Sequence, residues 1–409
     1  MKNRFLIALF AILAIALTNA NATPIFAEQY KMKCNGCHTL TPTLNKTGLQ
    51  FLRNGFRFSN TDQSWLSGFL DANSSETRLL PIHGLVGINI DSKSRNEMEK
   101  FNVYMGGSMS DTVSLYTVTR STYNLKKNHN LFGESTTRGF MQYNPDGTSH
   151  VLKLGWMSPL TMFSNADRTL MDNALMGSGL MKRAPKSSVK PSWAKQRPKP
   201  KKPGKDATPK QKKQYAMKVM PKQPYKLPIP YTGIGLVKGI EYSYLYDDKA
   251  LFLVNYGIPT SPSFADDSED SELTTGVEFR DLSGYNIGLI YAHQELGNIA
   301  SDSYILPIEK YFLDNTFMFQ QSFVYKDSDQ YNEPYYGSQT TFTYQLDEDS
   351  QVRSIISLDK DEAKETGSGI ALTYSKSWND RFLVHVTGAR HKGSVFDESI
   401  AKLSLYMFL

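Results

Sequence analysis

The chain has 409 residues, two cysteines and a formal net charge of +6. A mean hydropathy of −0.42 excludes a multi-spanning helical membrane protein, which needs several apolar runs of about 20 residues; two cysteines exclude a disulfide framework. The positive balance is concentrated, with 16 Lys or Arg against one acid, Asp206, between Lys182 and Lys226. The rest of the mature chain is acidic, so the balance implies no nucleic-acid partner.

At the start of the chain, Lys2 and Arg4 precede 13 apolar residues, Phe5 to Leu17, and a small-residue exit at Ala20-Asn21-Ala22. This is the pattern of a secretory signal peptide, assigned to residues 1–22. The apolar run is too short for a comfortable membrane anchor. An exported chain with no other long apolar run resides in a membrane only as a barrel.

Next comes Cys34-Asn35-Gly36-Cys37-His38, the C-x-x-C-H attachment motif of c-type haem. The two thiols can add to the haem vinyl groups, and the following imidazole can ligate the iron. A redox dithiol and half of a zinc site are the alternatives. His38, the export signal and the lack of a second C-x-x-C weigh against both. One covalent haem c on a segment spanning 23–75 is therefore expected. For the opposite axial position the candidate is His83, on the polar face of the first predicted strand with Asn89 and Asp91; alternation places His385 and Met157 on polar faces too.

From residue 79 to 409 the chain reads as segments of roughly ten residues with alternating polarity. They are 79–91, 100–109, 112–123, 139–144 and 150–157, then 231–246, 249–258, 272–280, 285–293 and 315–325, and finally 336–346, 351–358, 369–375, 381–390 and 399–409. In the last of them Ala401, Leu403, Leu405, Met407 and Leu409 are apolar, while Lys402 and Ser404 face the other way. Tyr and Phe gather near segment ends, as in Tyr242, Tyr244, Tyr246, Tyr335, Tyr336, Tyr344, Tyr406 and Phe408, which suits interfacial girdles. The fold expected is all-β, a transmembrane β-barrel of the bacterial outer membrane with a short N-terminal haem-binding plug; a soluble β-sandwich is the alternative. Fifteen segments are one short of an even count, and 297–314, with Tyr304, Leu306 and Ile308, supplies the sixteenth. The fifth strand then ends outside the cell, making 158–230 an extracellular connection.

Within that connection, 167–181 has the spacing of a short amphipathic helix. Residues 182–226 hold eight prolines among the like charges, which predicts a disordered loop. One reading is an arm that grips outer-membrane lipid, in particular anionic lipopolysaccharide, or extracellular polymer or an acidic partner; the other is a solvated loop with no defined partner. The acidic stretch Asp266-Asp267-Ser268-Glu269-Asp270, the run Asp347-Glu348-Asp349 and the acids at Asp359, Asp361, Glu362 and Glu365 are read as wet loop tips, with no metal site assigned.

The stretch from Ala22 through Pro24, Phe26 and Gln29, the haem motif, Pro42-Thr43-Leu44, Gly48 and Phe51-Leu52-Arg53-Asn54-Gly55-Phe56 resembles the fused monohaem cytochrome–porin family. Val103 to Asp111 is similar to that family's second strand and turn. The resemblance implies a 16-stranded outer-membrane porin whose haem is held by Cys34, Cys37 and His38. It also implies oxidation of an extracellular donor, Fe2+ in characterised members, with electrons passed inward to a periplasmic c-type cytochrome. A passive porin with a structural haem plug, and a soluble periplasmic cytochrome carrying a β domain, are the competing readings.

Overall fold

The computed structural model describes Phe26, Tyr30, Met32 and residues 36–40, 43–58, 82–91, 98–124, 135–145, 149–163, 236–259, 270–296, 299–313, 316–329, 334–360, 366–378, 382–392 and 397–408. The signal peptide, Cys34, the side chain of His83, the predicted helix at 167–181, the basic segment and most of the acid-rich tips lie outside the described residues. The N-terminal part consists of β1 (His38–Leu40), β2 (Thr43–Leu44) and α1 (Lys46–Arg53).

The barrel strands follow as β3 (Ile82–Asp91), β4 (Met98–Ser108), β5 (Val113–Asn124), β6 (Ser135–Tyr143), β7 (His150–Met157), β8 (Val237–Tyr246), β9 (Ala250–Pro259) and β10 (Ser271–Leu282). They continue as β11 (Tyr285–Leu296), β12 (Ile299–Phe312), β13 (Phe317–Ser328), β14 (Tyr335–Gln345), β15 (Ser350–Lys360), β16 (Thr366–Trp378), β17 (Phe382–Lys392) and β18 (Asp397–Phe408). Each pairs antiparallel with its neighbours in sequence, and β18 closes on β3 with Leu405 opposite Ile88 and Met407 opposite Val86. The result is one closed barrel of 16 strands. Its sixteenth member is β12, inside the gap where a strand was expected.

Alternation along the strands separates two surfaces. Leu154, Val254, Leu289, Leu306, Phe323, Ile356, Leu372 and Val386 point outward and are exposed. Tyr143, Tyr246, Phe312, Tyr344 and Trp378 gird one end of this apolar band; Tyr256, Tyr304 and Tyr336 gird the other. An apolar band between aromatic girdles on a closed barrel is the signature of a membrane-spanning porin-type wall, so the chain is an outer-membrane β-barrel.

The two rims differ in their connections. At one rim the turns are tight. Asp247 and Asp248 (φ 48° and 54°) and Ser283 and Gly284 (φ 53° and 79°) are left-handed pairs, the type I′ geometry that matches strand twist. At the other rim lie the connections 125–134, 158–236 and 260–270. Short turns face the periplasm in such barrels and long loops face outward. The connection holding the basic segment therefore leaves the extracellular rim, as expected. Of the acidic tips, Asp347 folds into a turn in which its carboxylate accepts from Asp349 N (2.8 Å) and Ser350 Oγ (2.6 Å), whereas Asp270 departs from the wet-tip expectation and is buried.

Polar side chains fill much of the lumen face. Lys153 Nζ lies 2.9 Å from Glu241 Oε1, with both side chains 1% exposed, and Asn255 Nδ2 donates to Glu241 Oε2 at 3.5 Å. Both charges have left water, so each depends on the other. Lys153→Met is expected to lower stability by about 3–5 kcal/mol by stranding a buried carboxylate. The double variant Lys153→Met/Glu241→Met should lose less than half of that, measured by denaturant unfolding in detergent.

Candidate functional site

The motif loop is fixed by one asparagine. Asn45 N donates to Cys37 O (2.9 Å) and its Nδ2 donates to Gly36 O (3.1 Å). The same side chain caps α1, its Oδ1 accepting from Gly48 N at 2.9 Å, which satisfies one of the otherwise orphaned donors of the first turn. Gly48 is required by proximity, because a Cβ there would stand 2.2 Å from Cys37 O. Helix and motif are thereby locked in one geometry, with His38 opening β1 opposite Leu44.

Cys37 carries a free, half-buried thiol, and burial pushes its pKa up. His38 follows it, also half-buried. A thiol and an imidazole adjacent in sequence, on a loop held by Asn45, form a donor set that fits a covalently attached haem c. Phe26 stacks on Phe56 with centroids 5.2 Å apart and meets Phe51 edge-on at 5.0 Å, while Tyr30 meets Phe51 at 5.5 Å. Phe56 continues to Tyr116 on β5 (5.6 Å), and Tyr116 to Phe140 on β6 (5.7 Å).

The end of α1 docks on the lumen face of β6–β8 near the periplasmic turns. Arg53 is fully buried, donating to Ser243 Oγ (3.2 Å) and to Ser149 O (3.1 Å). Burial lowers its pKa, while Glu241 and Asp248 favour the charged form. Gln142 Nε2 donates to Leu52 O and Arg53 O, both at 3.0 Å, and Asn144 Nδ2 also donates to Arg53 O. Asn54, Gly55 (φ 66°) and Phe56 (φ 64°) then turn the chain sharply. Gly55 takes the left-handed position after the helix that favours glycine, and a Cβ on it would come within 3.0 Å of Ser114 Oγ. Phe56 has no such freedom, and its left-handed backbone costs about 1–2 kcal/mol, against which its ring contacts are set.

A second piece enters the lumen. After β7 the chain makes a 3-10 turn, Pro159–Met162, and Arg280 NH2 donates to Met162 O at 3.1 Å. Leu160, Met162 and Phe163 are buried in one cluster with Phe51, Leu52 and Phe56 and with the lumen-facing Leu251, Leu253, Ile290, Ile305 and Val324.

Among the expected ligands, Cys37 and His38 stand together on the described loop. His83 pairs with Tyr104 in the β3–β4 register. His385 lies on the wall of β16–β18, its Nδ1 2.6 Å from Ser375 Oγ and its ring 5.5 Å from that of Tyr406. Met157 departs from expectation: its position is not polar, since it is 3% exposed within the apolar cluster. The turn at 159–162 and the N-terminal segment cover the lumen side of β7 there, which alternation alone does not reveal. Sequence reasoning also missed α1, Asn45, Arg53 and the inward turn. Asn45 before the helix and Asn54-Gly55 after it were the available capping signals.

No protein-family model matches the sequence, and no curated protein matches it at a significant level. Solved structures do resemble it in fold. OmpF of Salmonella typhi, solved in complex with daunomycin, has a TM-score of 0.52 at 8% identity over 80% of this chain and 97% of that one. A loop-deletion mutant of the Vibrio cholerae outer membrane protein OmpT has a TM-score of 0.49 at 7% identity over 80% and 98%.

Two outcomes follow from the docking geometry. Arg53→Leu removes charge-assisted bonds worth about 2–3 kcal/mol to the N-terminal segment, so limited proteolysis within 36–58 should accelerate roughly 30-fold while the barrel keeps its heat resistance. A raised thiol pKa means that the folded chain holds the Cys37 proton more tightly than the unfolded chain does. The stability this contributes is present below the ordinary thiol value and is lost as pH rises through the raised one. In the haem-free Cys34→Ser variant, iodoacetamide should therefore alkylate Cys37 more slowly in the folded than in the denatured chain at neutral pH, and the difference should narrow as pH rises, read by mass spectrometry.

Proposed function

We propose that this chain is an outer-membrane monohaem cytochrome–porin that carries electrons from an extracellular donor, Fe2+ foremost, to a periplasmic c-type cytochrome. The observation that carries the reading is the docking of the Cys37–His38 loop, through Asn45 and α1, onto the lumen face of a membrane-spanning barrel. Cys34, Cys37 and His38 would hold haem c, with His83 as a further candidate ligand, and the group would supply a one-electron iron couple.

The chain's own residues do the rest. Phe26, Tyr30, Phe51 and Phe56 pack the segment that follows the motif into an apolar cluster, and Asn45 fixes the motif loop to that segment. Arg53, Gln142 and Asn144 keep the segment near the periplasmic turns, the side from which a soluble acceptor approaches. An insoluble ferric product would remain outside the cell. The basic segment 182–226 would grip anionic lipopolysaccharide.

The resemblance in fold to OmpF favours a second reading, a passive porin whose N-terminal segment is a structural plug. Expression with cytochrome c maturation, followed by Soret and α-band spectroscopy of isolated outer membranes, separates the two. The proposal expects one covalent haem per chain, its loss in His38→Ala or Cys37→Ala, and reduction by Fe2+. Reduction by dithionite with no response to Fe2+ would remove ferrous iron as donor. Open-channel steps from the full chain in planar bilayers, without redox turnover, would establish the passive porin.

A further inference from the structure

The outer wall carries a groove of about 550 Å3 across β12–β15, inside the membrane band. It exists because one register row contains a small residue. Leu306 pairs with Phe323, Phe323 with Ser338, and Ser338 with Leu358, so Ser338 leaves a gap among three large outward side chains. Directly above, toward the extracellular rim, Tyr291, Tyr304, Tyr325 and Tyr336 form a continuous row with centroids 5.1, 5.9 and 5.3 Å apart. Beyond the phenols, Asp302 accepts from Tyr291 OH at 2.7 Å and lies 2.9 Å from His293 Nδ1.

At the floor the outward surface departs from the apolar rule. Gln321 Nε2 donates to Ser338 Oγ at 3.0 Å, and Thr340 Oγ1 donates to Gln321 Oε1 at 2.6 Å. Polar side chains facing hydrocarbon are costly and mark sites by default. Among the described residues, Ser338 Oγ accepts the bond from Gln321 and makes no other. Ser338 lies two residues along the strand below the tyrosine row, ~7 Å, or roughly 5 Å in depth on a tilted strand, and Gln321 and Thr340 pair in the row two residues further down.

We propose that this groove seats an acyl chain of an outer-leaflet glycolipid, and that Ser338, which lines it and is held by Gln321, recognises a hydroxyl near the head of that chain. Three observations select this occupant. The groove lies on the outward face of a membrane-spanning wall, so lipid is the phase that covers it. It lies in the extracellular half, where the outer leaflet supplies lipopolysaccharide. Ser338 sits a few ångströms below the tyrosine row, where lipid A chains carry their 3-hydroxyls and ordinary phospholipid chains carry none.

The test uses the full chain purified from outer membranes in detergent, stripped of lipid and titrated by native mass spectrometry. The probes are lipid A and dimyristoyl phosphatidylglycerol. The expected result is one lipid A per chain, bound at least tenfold more tightly than the phospholipid. Ser338→Trp, which fills the groove, should weaken lipid A binding more than tenfold, whereas Ala401→Trp on the outward face of β18 should leave it unchanged. If Ser338→Trp does not yield a heat-resistant barrel, Ser338→Leu provides the same comparison. Undiminished lipid A binding in the filled variant would overturn the proposal. So would equal affinity for phosphatidylglycerol, or a wild-type oligomer that the filled variant converts to monomers.

Discussion

Every strand of this chain must satisfy its backbone without water, because the surrounding phase offers no hydrogen-bonding partner. Closure answers that constraint, and the last join, β18 onto β3, removes the only remaining edges of the sheet. Closure also assigns a direction to each side chain. Once Leu405 faces outward opposite Ile88, Ser404 faces inward opposite Asn89, and the same parity runs around all 16 strands. The lumen contents, the girdles and the outer groove are consequences of that parity.

The lumen is where the energetic risk lies. Lys153, Glu241, Glu272, Glu278 and Glu309 are at most 2% exposed on its face, and each needs a partner because an unpaired buried charge is expensive. Lys153 meets Glu241, Glu278 meets Arg280 at 2.7 Å, and Gln294 and Gln320 donate to Glu272 and Glu309. Arg53 joins this network from α1 rather than from the wall. The N-terminal segment is thus held by directional polar bonds around its carbonyls and guanidinium, with the aromatic cluster supplying the non-directional burial.

Legibility in the sequence followed the strength of the local signal. Strands with clean alternation, such as β18, could be read residue by residue. β12 could be found only by count, because Ile305, Leu306, Pro307 and Ile308 are apolar on both faces and proline is a poor strand residue. The C-x-x-C-H spacing was plain, since it is contained in five consecutive residues. The scaffold around it was not. α1 has eight residues with Gly48 among them, and its existence depends on Asn45, on Cys37 O and on a barrel wall supplied by residues some 190 positions away, as in the bond from Arg53 to Ser243. No window of sequence contains that information.

Likeness to porins is a statement about the wall, and function depends on what the wall encloses. A water-filled porin has a polar interior. Here Leu251, Leu253, Ile290, Ile305 and Val324 face inward and are at most 3% exposed. Wetting these side chains would forfeit about 1.5–3 kcal/mol each, a cost that a barrel evolved for open passage has no reason to carry. They are covered by Leu160, Met162 and Phe163 from the inward turn and by Phe51, Leu52 and Phe56 from the N-terminal segment. Wall and contents therefore complement each other chemically.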